Sequence, residues 1–269
     1  MTDTSPEGMR RAIGQNLWGS WLALCTSPRV DLIDSEAMIR FASGLPLPPF
    51  NAVMRARLDE GTADRAIQQT AEYFAAKRLP WTWYLEETAT PSDLPARLTA
   101  AGLVEEAPEP CMAIDMTLLA DAPGGPDDLV IEKVAGMELG GEYTDVLSTG
   151  FGLPLEIARD FADIIRGAAP SEEVTVWGYL GLVDGRAVAT ALLVAAGGVA
   201  GIYNVATVVE YRGRGIGAAL TVAPLIEARD MGYRIGALQS SEMGYGVYQR
   251  LGFREYCRLR QFVWPSANE

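Results

Sequence analysis

The sequence predicts an α/β protein made of two related halves, each a mixed, mostly antiparallel sheet flanked by helices. Three observations carry this expectation. Apolar strand-like runs bounded by tight-turn signals alternate with segments of helical period. A single Gly/Pro/Asp cluster, Asp121 to Asp128, splits the 269 residues into two domain-sized pieces. The two pieces also end alike, with a helix, a glycine (Gly102; Gly252), an apolar residue (Leu103; Phe253) and a strand carrying one cysteine. The expected organisation is a first domain over 1–120, a linker over 121–128 and a second domain over 129–269. An internal duplication would explain it. The plainer alternative is that α/β domains commonly end helix–turn–strand.

Along the first half the pattern predicts a helix over Glu7–Leu24 and short strands near Val30–Ile33 and Met38–Phe41. A strand over Phe50–Arg57, a helix over Thr62–Lys77 and a strand over Trp81–Glu87 follow. Leu94–Ala101 reads as a short helix and Cys111–Leu118 as a strand. In the second half, Leu129–Val134 is a strand and Glu138–Phe151 a helix. Leu155–Arg166 is a helix with Ile157, Phe161, Ile164 and Ile165 on one face. Val174–Val183 turns at Asp184-Gly185 into Ala187–Ala195, and Gly197-Gly198 turns again into Val199–Thr207. This is an antiparallel meander. A glycine-rich turn then leads to a helix ending about Arg229, a strand Ile235–Gln239, a short helix to Leu251 and a last strand Tyr256–Val263. Pro224 falls inside the long helix, where it removes a backbone donor and should kink it.

Composition excludes several function classes. The chain has no histidine, so it has no Ser-His-Asp triad, no Cys-His dyad and no His-ligated zinc. Lysine is confined to Lys77 and Lys133. The net charge of −13 argues against coating nucleic acid or an anionic membrane. Cys25, Cys111 and Cys257 are too few and too scattered for a disulfide framework or a metal site. They read as reduced thiols, and the polar N-terminus shows no apolar signal core, so a soluble cytoplasmic protein is expected. Trp18, Trp21, Trp81 and Trp83 read as core. Cys257 reads as packing rather than as a nucleophile.

The sharpest local signal is Arg212-Gly213-Arg214-Gly215-Ile216-Gly217, between an apolar strand and a helix. Glycines allow φ > 0 and close backbone approach. Free N–H groups at a helix start, with the positive end of the helix dipole behind them, suit a pyrophosphate. The spacing is neither a dinucleotide fingerprint nor a P-loop. From Glu210 to Arg260 the chain is +3, against −16 elsewhere, so a specific polyanionic ligand is expected there. Arginines facing solvent in a mixed-charge surface are the plainer alternative.

Val205 to Gly217, followed by a helix and then Tyr248-Gln249-Arg250-Leu251-Gly252-Phe253, resembles the GNAT superfamily of acyl-CoA-dependent N-acyltransferases. The resemblance spans roughly Leu129 to Val263, and the whole chain resembles a tandem GNAT protein with a degenerate first copy. It implies acetyl-CoA, or another short acyl-CoA, as cosubstrate, with no metal. Val205, Ala206 and Thr207 match the strand whose backbone pairs with the pantetheine arm. The backbone near Thr207 is implied as the oxyanion region. Arg212, Gly213, Arg214, Gly215, Ile216, Gly217 and Ala218 match the pyrophosphate loop. Tyr248 matches the tyrosine that protonates the departing thiolate, the plainer alternative being a core or rim aromatic on an amphipathic helix.

The sequence departs from the family pattern at Ser241, where asparagine is common, and at Val209, where proline is usual. No acidic residue lies in Val199–Thr207 to act as base. Glu242 is a candidate, against the plainer reading of an acid in the first turn of a helix. Strand alternation places Tyr203 and Asn204 on opposite faces, so at most one would meet the acceptor. The first half lacks a Gly-x-Gly loop before Thr62–Lys77 and carries Leu98 where Tyr248 stands. No chemistry is expected there, only a wall for the acceptor.

The implied reaction moves an acetyl or short acyl group to a primary amine on a small molecule or peptide. The acidic chain mildly favours a cationic acceptor. A non-catalytic acyl-CoA sensor or an interaction module is the alternative.

Overall fold

The computed structural model describes residues 2–134, 139–169 and 173–265. The first half contains helix α1 (Pro6–Leu24), strands β1 (Asp31–Asp34), β2 (Ile39–Ala42) and β3 (Asn51–Met54), and helix α2 (Ala63–Lys77). Strand β4 (Thr82–Leu85), helix α3 (Leu94–Ala100), and strands β5 (Val104–Glu105) and β6 (Glu109–Asp115) complete it. The second half begins with β7 (Leu129–Val134), α4 (Gly141–Phe151), α5 (Leu155–Gly167), β8 (Val174–Val183), β9 (Arg186–Ala196) and β10 (Val199–Thr207). It ends with α6 (Ile216–Asp230), β11 (Ile235–Gln239), α7 (Glu242–Arg250) and β12 (Arg254–Val263). Glu138, expected at the start of α4, lies outside the described residues. Pro224 is buried inside α6, which continues through it as one helix.

Two compact units form, and they do not follow the expected division at 121–128. The first comprises the chain up to Ser27 together with Pro110–Cys257; the second comprises Pro28–Glu109 and the chain from Arg258. The expected linker therefore lies within the first unit. The physical reason is strand completion. β11 and β4 each lie parallel to one neighbour and offer a second edge. An open edge is a liability, and an antiparallel strand closes each one. β11 takes β6, paired from Ile235↔Asp115 to Gln239↔Cys111. β4 takes β12, paired from Arg260↔Leu85 to Val263↔Thr82. Each unit is thus finished by the last strand of the other half of the sequence.

In the first unit the sheet runs β6-β11-β10-β9-β8-β7, antiparallel except for β10–β11. Alternation sorts its two faces. At Gly181 a Cβ would meet Leu220 of α6, whereas at Gly178 it would meet Leu139, just before α4, and Tyr143 of α4. α6 therefore covers one face. α4 covers the other together with α1, where Gly19 abuts Ala196. Helix α1 starts at Ser5, whose side chain accepts from the Gly8 N–H. Its buried Asn16 donates to the carbonyls of Val194 (2.9 Å) and Val199 (2.8 Å) and accepts from the Tyr203 hydroxyl (2.7 Å).

In the second unit β1, β2 and β3 form an antiparallel meander, and β4 follows parallel to β3 after α2. Its core packs Ile67 and Phe74 of α2, Leu94 and Leu98 of α3, and Val53, Trp83 and Phe262 of the strands. Trp81 stacks on Phe74 at 5.1 Å and on Trp264 at 5.7 Å between ring centroids. Trp81 and Trp83 are core as expected, while Trp18 and Trp21 are half-buried. Among the described residues no helix is long and apolar enough to cross a membrane.

Candidate active site

β10 is the element that shapes the site. It runs parallel to β11 only at Ala200↔Gly236 and Gly201↔Ala237, although both strands continue. Beyond Gly201 the two part, and one backbone edge of β10 is left unpaired by β11. On its other edge β10 stays with β9 through Thr207↔Ala189, after a register shift between Tyr203 and Ala206. The shift is a β-bulge centred on Asn204, whose φ of +51° is unusual for a residue other than glycine. The bulge re-aims the residues after it. Tyr203 and Ala206 both point to the α1/α4 face, toward Asn16 and Gly150, while Val205 and Thr207 point toward α6. The expected simple alternation of Tyr203 and Asn204 is therefore broken by the bulge.

The glycine-rich loop follows this strand end directly. Gly213 and Gly215 take φ of +77° and +82°. Gly215 is the N-cap of α6, with no side chain capping the first turn. The free N–H groups of that turn are available to a ligand. A Cβ on Gly213 would meet nothing within 4 Å, so the space over the loop is open. At Gly217 a Cβ would lie 3.6 Å from Thr207 Oγ1 and 3.8 Å from Val205 Cγ1. The start of α6 and the parted end of β10 thus meet at Val205, Thr207 and Gly217. These are a cradle and an open strand edge of the kind a pyrophosphate with an extended amide-bearing arm would need.

The two arginines do more than supply charge. Arg212 Nε donates to the Thr207 carbonyl (2.9 Å) and its Nη2 to the Gly150 carbonyl (2.8 Å). It ties the loop to β10 and α4. Arg214 makes a two-pronged pair with Asp128, at 3.0 and 2.9 Å. Arg229 and Arg234 pair with Asp121 and Asp115, and Arg260 pairs with Glu105. The +3 window is therefore substantially offset by acids that precede it in sequence. The segment expected as a linker supplies two of them, and its Gly125 lies beside Gly215 and Ala219. This placement was not legible in the sequence, because nothing local links Asp128 to Arg214.

α7 carries the candidate acid. Ser241 caps it, its Oγ accepting from the Gly244 N–H at 3.2 Å. Glu242 is exposed in the first turn. Tyr248 is half-buried against the core that includes Leu220, Val222 and Phe253, with the Phe253 ring edge-on at 6.0 Å. Gly244 makes room for it, since a Cβ there would lie 2.8 Å from the Tyr248 ring. Burial pushes the Tyr248 phenol up, and the Thr221 hydroxyl pulls it partly back. Thr221 belongs to α6 and donates to the Gly217 carbonyl at 2.8 Å. Sequence reasoning missed Thr221. Its signal was a lone hydroxyl on the apolar face of a helix. Cys25 and Cys111 are buried free thiols and Cys257 is half-buried. Among the described residues no cluster of three or more His, Cys, Asp or Glu could hold a metal.

This arrangement matches known proteins at two levels. Residues 188–256, from β9 into β12, match the family model described as an acetyltransferase (GNAT) domain. No curated protein matches the chain. Among solved structures, a GCN5-related N-acetyltransferase from Kribbella flavida is similar over 96% of this chain and 95% of its own, with a TM-score of 0.70 and 20% identity. A tandem GNAT protein from the clavulanic acid biosynthesis pathway is similar over 97% and 96%, with a TM-score of 0.61 and 15% identity. A GCN5-related N-acetyltransferase from Sphaerobacter thermophilus is similar over 87% of this chain and 75% of its own, with a TM-score of 0.61 and 17% identity. At these identities the likeness establishes the fold. It is the GNAT fold, spread over nearly the whole chain, with an acetyltransferase-domain match on the segment that holds the site.

Proposed function

We propose that the chain transfers an acetyl or short acyl group from acyl-CoA to a primary amine, using the site at the parting of β10 and β11. One observation carries the reading. The unpaired end of β10 and the uncapped, glycine-lined start of α6 meet at Val205, Thr207 and Gly217, and Tyr248 packs against the same helix. The loop from Arg212 to Ala218 would hold the pyrophosphate with backbone N–H groups. The edge of Val205 to Thr207 would pair with the pantetheine amides and offer an N–H to the thioester oxygen as it becomes an oxyanion. The acyl-CoA supplies an activated carbonyl and a thiolate leaving group. Tyr248, a phenol and so a neutral donor at neutral pH, would donate its proton to that sulfur. The amine loses its proton to water, which fits a β10 with no acidic residue.

We further propose that the second unit descends from a degenerate copy of the first. Both place a parallel strand after a meander and a helix, β3–α2–β4 in one and β10–α6–β11 in the other. No glycine loop precedes α2, and the position of Tyr248 is held by buried Leu98. The tandem GNAT structure covering 97% of the chain supports this history.

The test is acetyl-CoA binding by calorimetry, followed by release of free CoA across a panel of amines, aminoglycosides, amino acids and peptides. Binding with turnover on at least one amine is expected. Tyr248→Phe should lower the maximal rate by about 10²-fold or more, the usual share of a general acid, and leave acetyl-CoA affinity nearly unchanged. Binding without any release would favour a sensor, and no binding would favour an interaction module.

A further inference from the structure

We propose that Thr190, on β9, is a positioning residue for this reaction: its hydroxyl holds the β10 bulge in place, and the bulge decides which backbone N–H groups of Val205 to Thr207 face the cleft. The inference rests on the role proposed for that strand edge.

Strand parity sets the problem. Along a strand, successive side chains alternate between faces and successive N–H groups alternate between edges. Tyr203 and Ala206 are separated by an odd number of steps, yet both point to the α1/α4 face. The extra residue of the bulge produces this. Tyr203 pairs with Leu192 and Ala206 with Thr190, so Ala191 alone stands opposite Asn204 and Val205. Erasing the bulge would slip the end of β10 by one residue, exchanging its two edges as well as its two faces. N–H groups now turned to the cleft would turn to β9.

The bulge is held by side chains from outside β10. Asn204 and Val205 have no paired residue in β9 or in β11. Asn204 also stands at a φ of +51°, which glycine adopts freely and other residues resist. Thr190 Oγ1 donates to the Asn204 carbonyl at 3.0 Å. Beside it, the Tyr143 hydroxyl reaches from α4 to the Ala191 carbonyl at 3.3 Å. Thr190 is 0% exposed, so removing its hydroxyl would leave the Asn204 carbonyl short of a donor with no water to replace it. The geometry is a staple. Thr190 pairs by its backbone with Ala206, just past the bulge, and bonds by its side chain to Asn204, where the bulge begins. One residue thus fixes where the extra residue sits. The phosphate loop starts at Arg212, beyond Thr207 and its Ala189 pair, and lies outside the staple. Loss of the hydroxyl should therefore mis-aim the N–H groups offered to the pantetheine arm and the thioester oxygen while sparing the phosphate contacts.

The experiment compares Thr190→Val, which keeps the shape and removes the hydroxyl, with Thr190→Ser, which keeps the hydroxyl. The kcat is measured with acetyl-CoA and the best amine from the panel, and the acetyl-CoA Kd by calorimetry. Amide NMR spectra with and without acetyl-CoA follow Val205 to Thr207 directly. Thr190→Val should lower kcat about tenfold or more, a part of the roughly 10²–10³-fold that loss of an oxyanion donor costs. Its Kd should rise no more than about threefold, because the phosphate loop is untouched. The shifts that acetyl-CoA induces at Val205 to Thr207 should be largely lost, and those at Gly213 to Gly217 kept. Thr190→Ser should restore most of kcat and the β10 shifts. The proposal is overturned if Thr190→Val retains full kcat, if its β10 amides respond to acetyl-CoA as in the wild type, or if the serine variant is as impaired as the valine one. It is also overturned if the loop amides lose their response along with β10, since the hydroxyl would then be a general support of the unit. If no amine turns over, the amide spectra decide alone. A wild type that does not bind acetyl-CoA removes the cleft reading itself, and this proposal with it. If the valine variant does not fold, Thr190→Cys, similar in size and a weak donor, takes its place with the same expected directions.

Discussion

Asn16 and Gly201 should be energetically coupled, because each occupies space or makes bonds that the other requires. Replacing Asn16 with alanine removes donated bonds to Val199 (2.8 Å) and Val194 (2.9 Å) and the acceptor of the Tyr203 hydroxyl (2.7 Å). At about 1 kcal/mol per bond the loss is about 3 kcal/mol. For a unit of this size that corresponds to a fall in Tm of about 6–12 °C. Gly201→Ala acts on the same contact. The new methyl would lie 1.9 Å from Asn16 Oδ1 and 2.6 Å from the Tyr203 ring, which must push α1 away from the sheet. Overpacking of that kind costs about 1–3 kcal/mol. With Asn16 already reduced to alanine, the tightest of these clashes is gone. The double variant should therefore be more stable than the two losses added together, by about 1 kcal/mol or more. Urea unfolding followed by circular dichroism on the wild type, both single variants and the double variant measures the cycle. Additivity within about 0.5 kcal/mol would refute the reasoning, since residues in direct contact should not behave independently.

Arg212→Ala should weaken acetyl-CoA binding and lower Tm together, because the guanidinium holds the loop to Thr207 and Gly150 rather than only attracting phosphate. Unchanged affinity by calorimetry would remove the loop from the binding site. Asp128→Asn should strengthen acetyl-CoA binding a few-fold at low salt, because it releases Arg214 from its carboxylate partner. The gain should shrink as ionic strength rises, since the pair is solvent-exposed. Weaker binding in this variant would show that the pair serves to hold the loop in shape.

Much of the fold was legible in residues alone. Leu129–Val134, Val174–Val183, Val199–Thr207 and Ile235–Gln239 form strands with the expected bounds, because alternating apolar residues and Gly-rich turns are local signals. The pairing of β6 and β12 was not legible. Both follow a helix and a glycine, and which sheet each joins depends on which distant edge is open. β5, two residues long, was too short to read. The bulge at Asn204 was hidden for a related reason, since a non-glycine residue at positive φ gives no compositional cue. At the site, the loop and Tyr248 stood out as motifs. The pairing of Asp128 with Arg214 did not, because nothing local in the sequence links the two residues.

The exchange of final strands imposes an order on biosynthesis. β4 is made early, but its antiparallel partner β12 is made more than 150 residues later. Until then the second unit has its meander, α2 and α3 but an exposed edge. The first unit has the reverse history. α1 and β6 are synthesised before the strands they cover, and must wait for β9, β10 and β11. Cutting the gene at the 121–128 loop would therefore yield two fragments that each lack a strand of their own sheet and carry a spare strand belonging to the other. Such fragments are suited to recombine with each other, and a split-protein assay that restores acetyl-CoA binding on mixing follows directly from that arrangement.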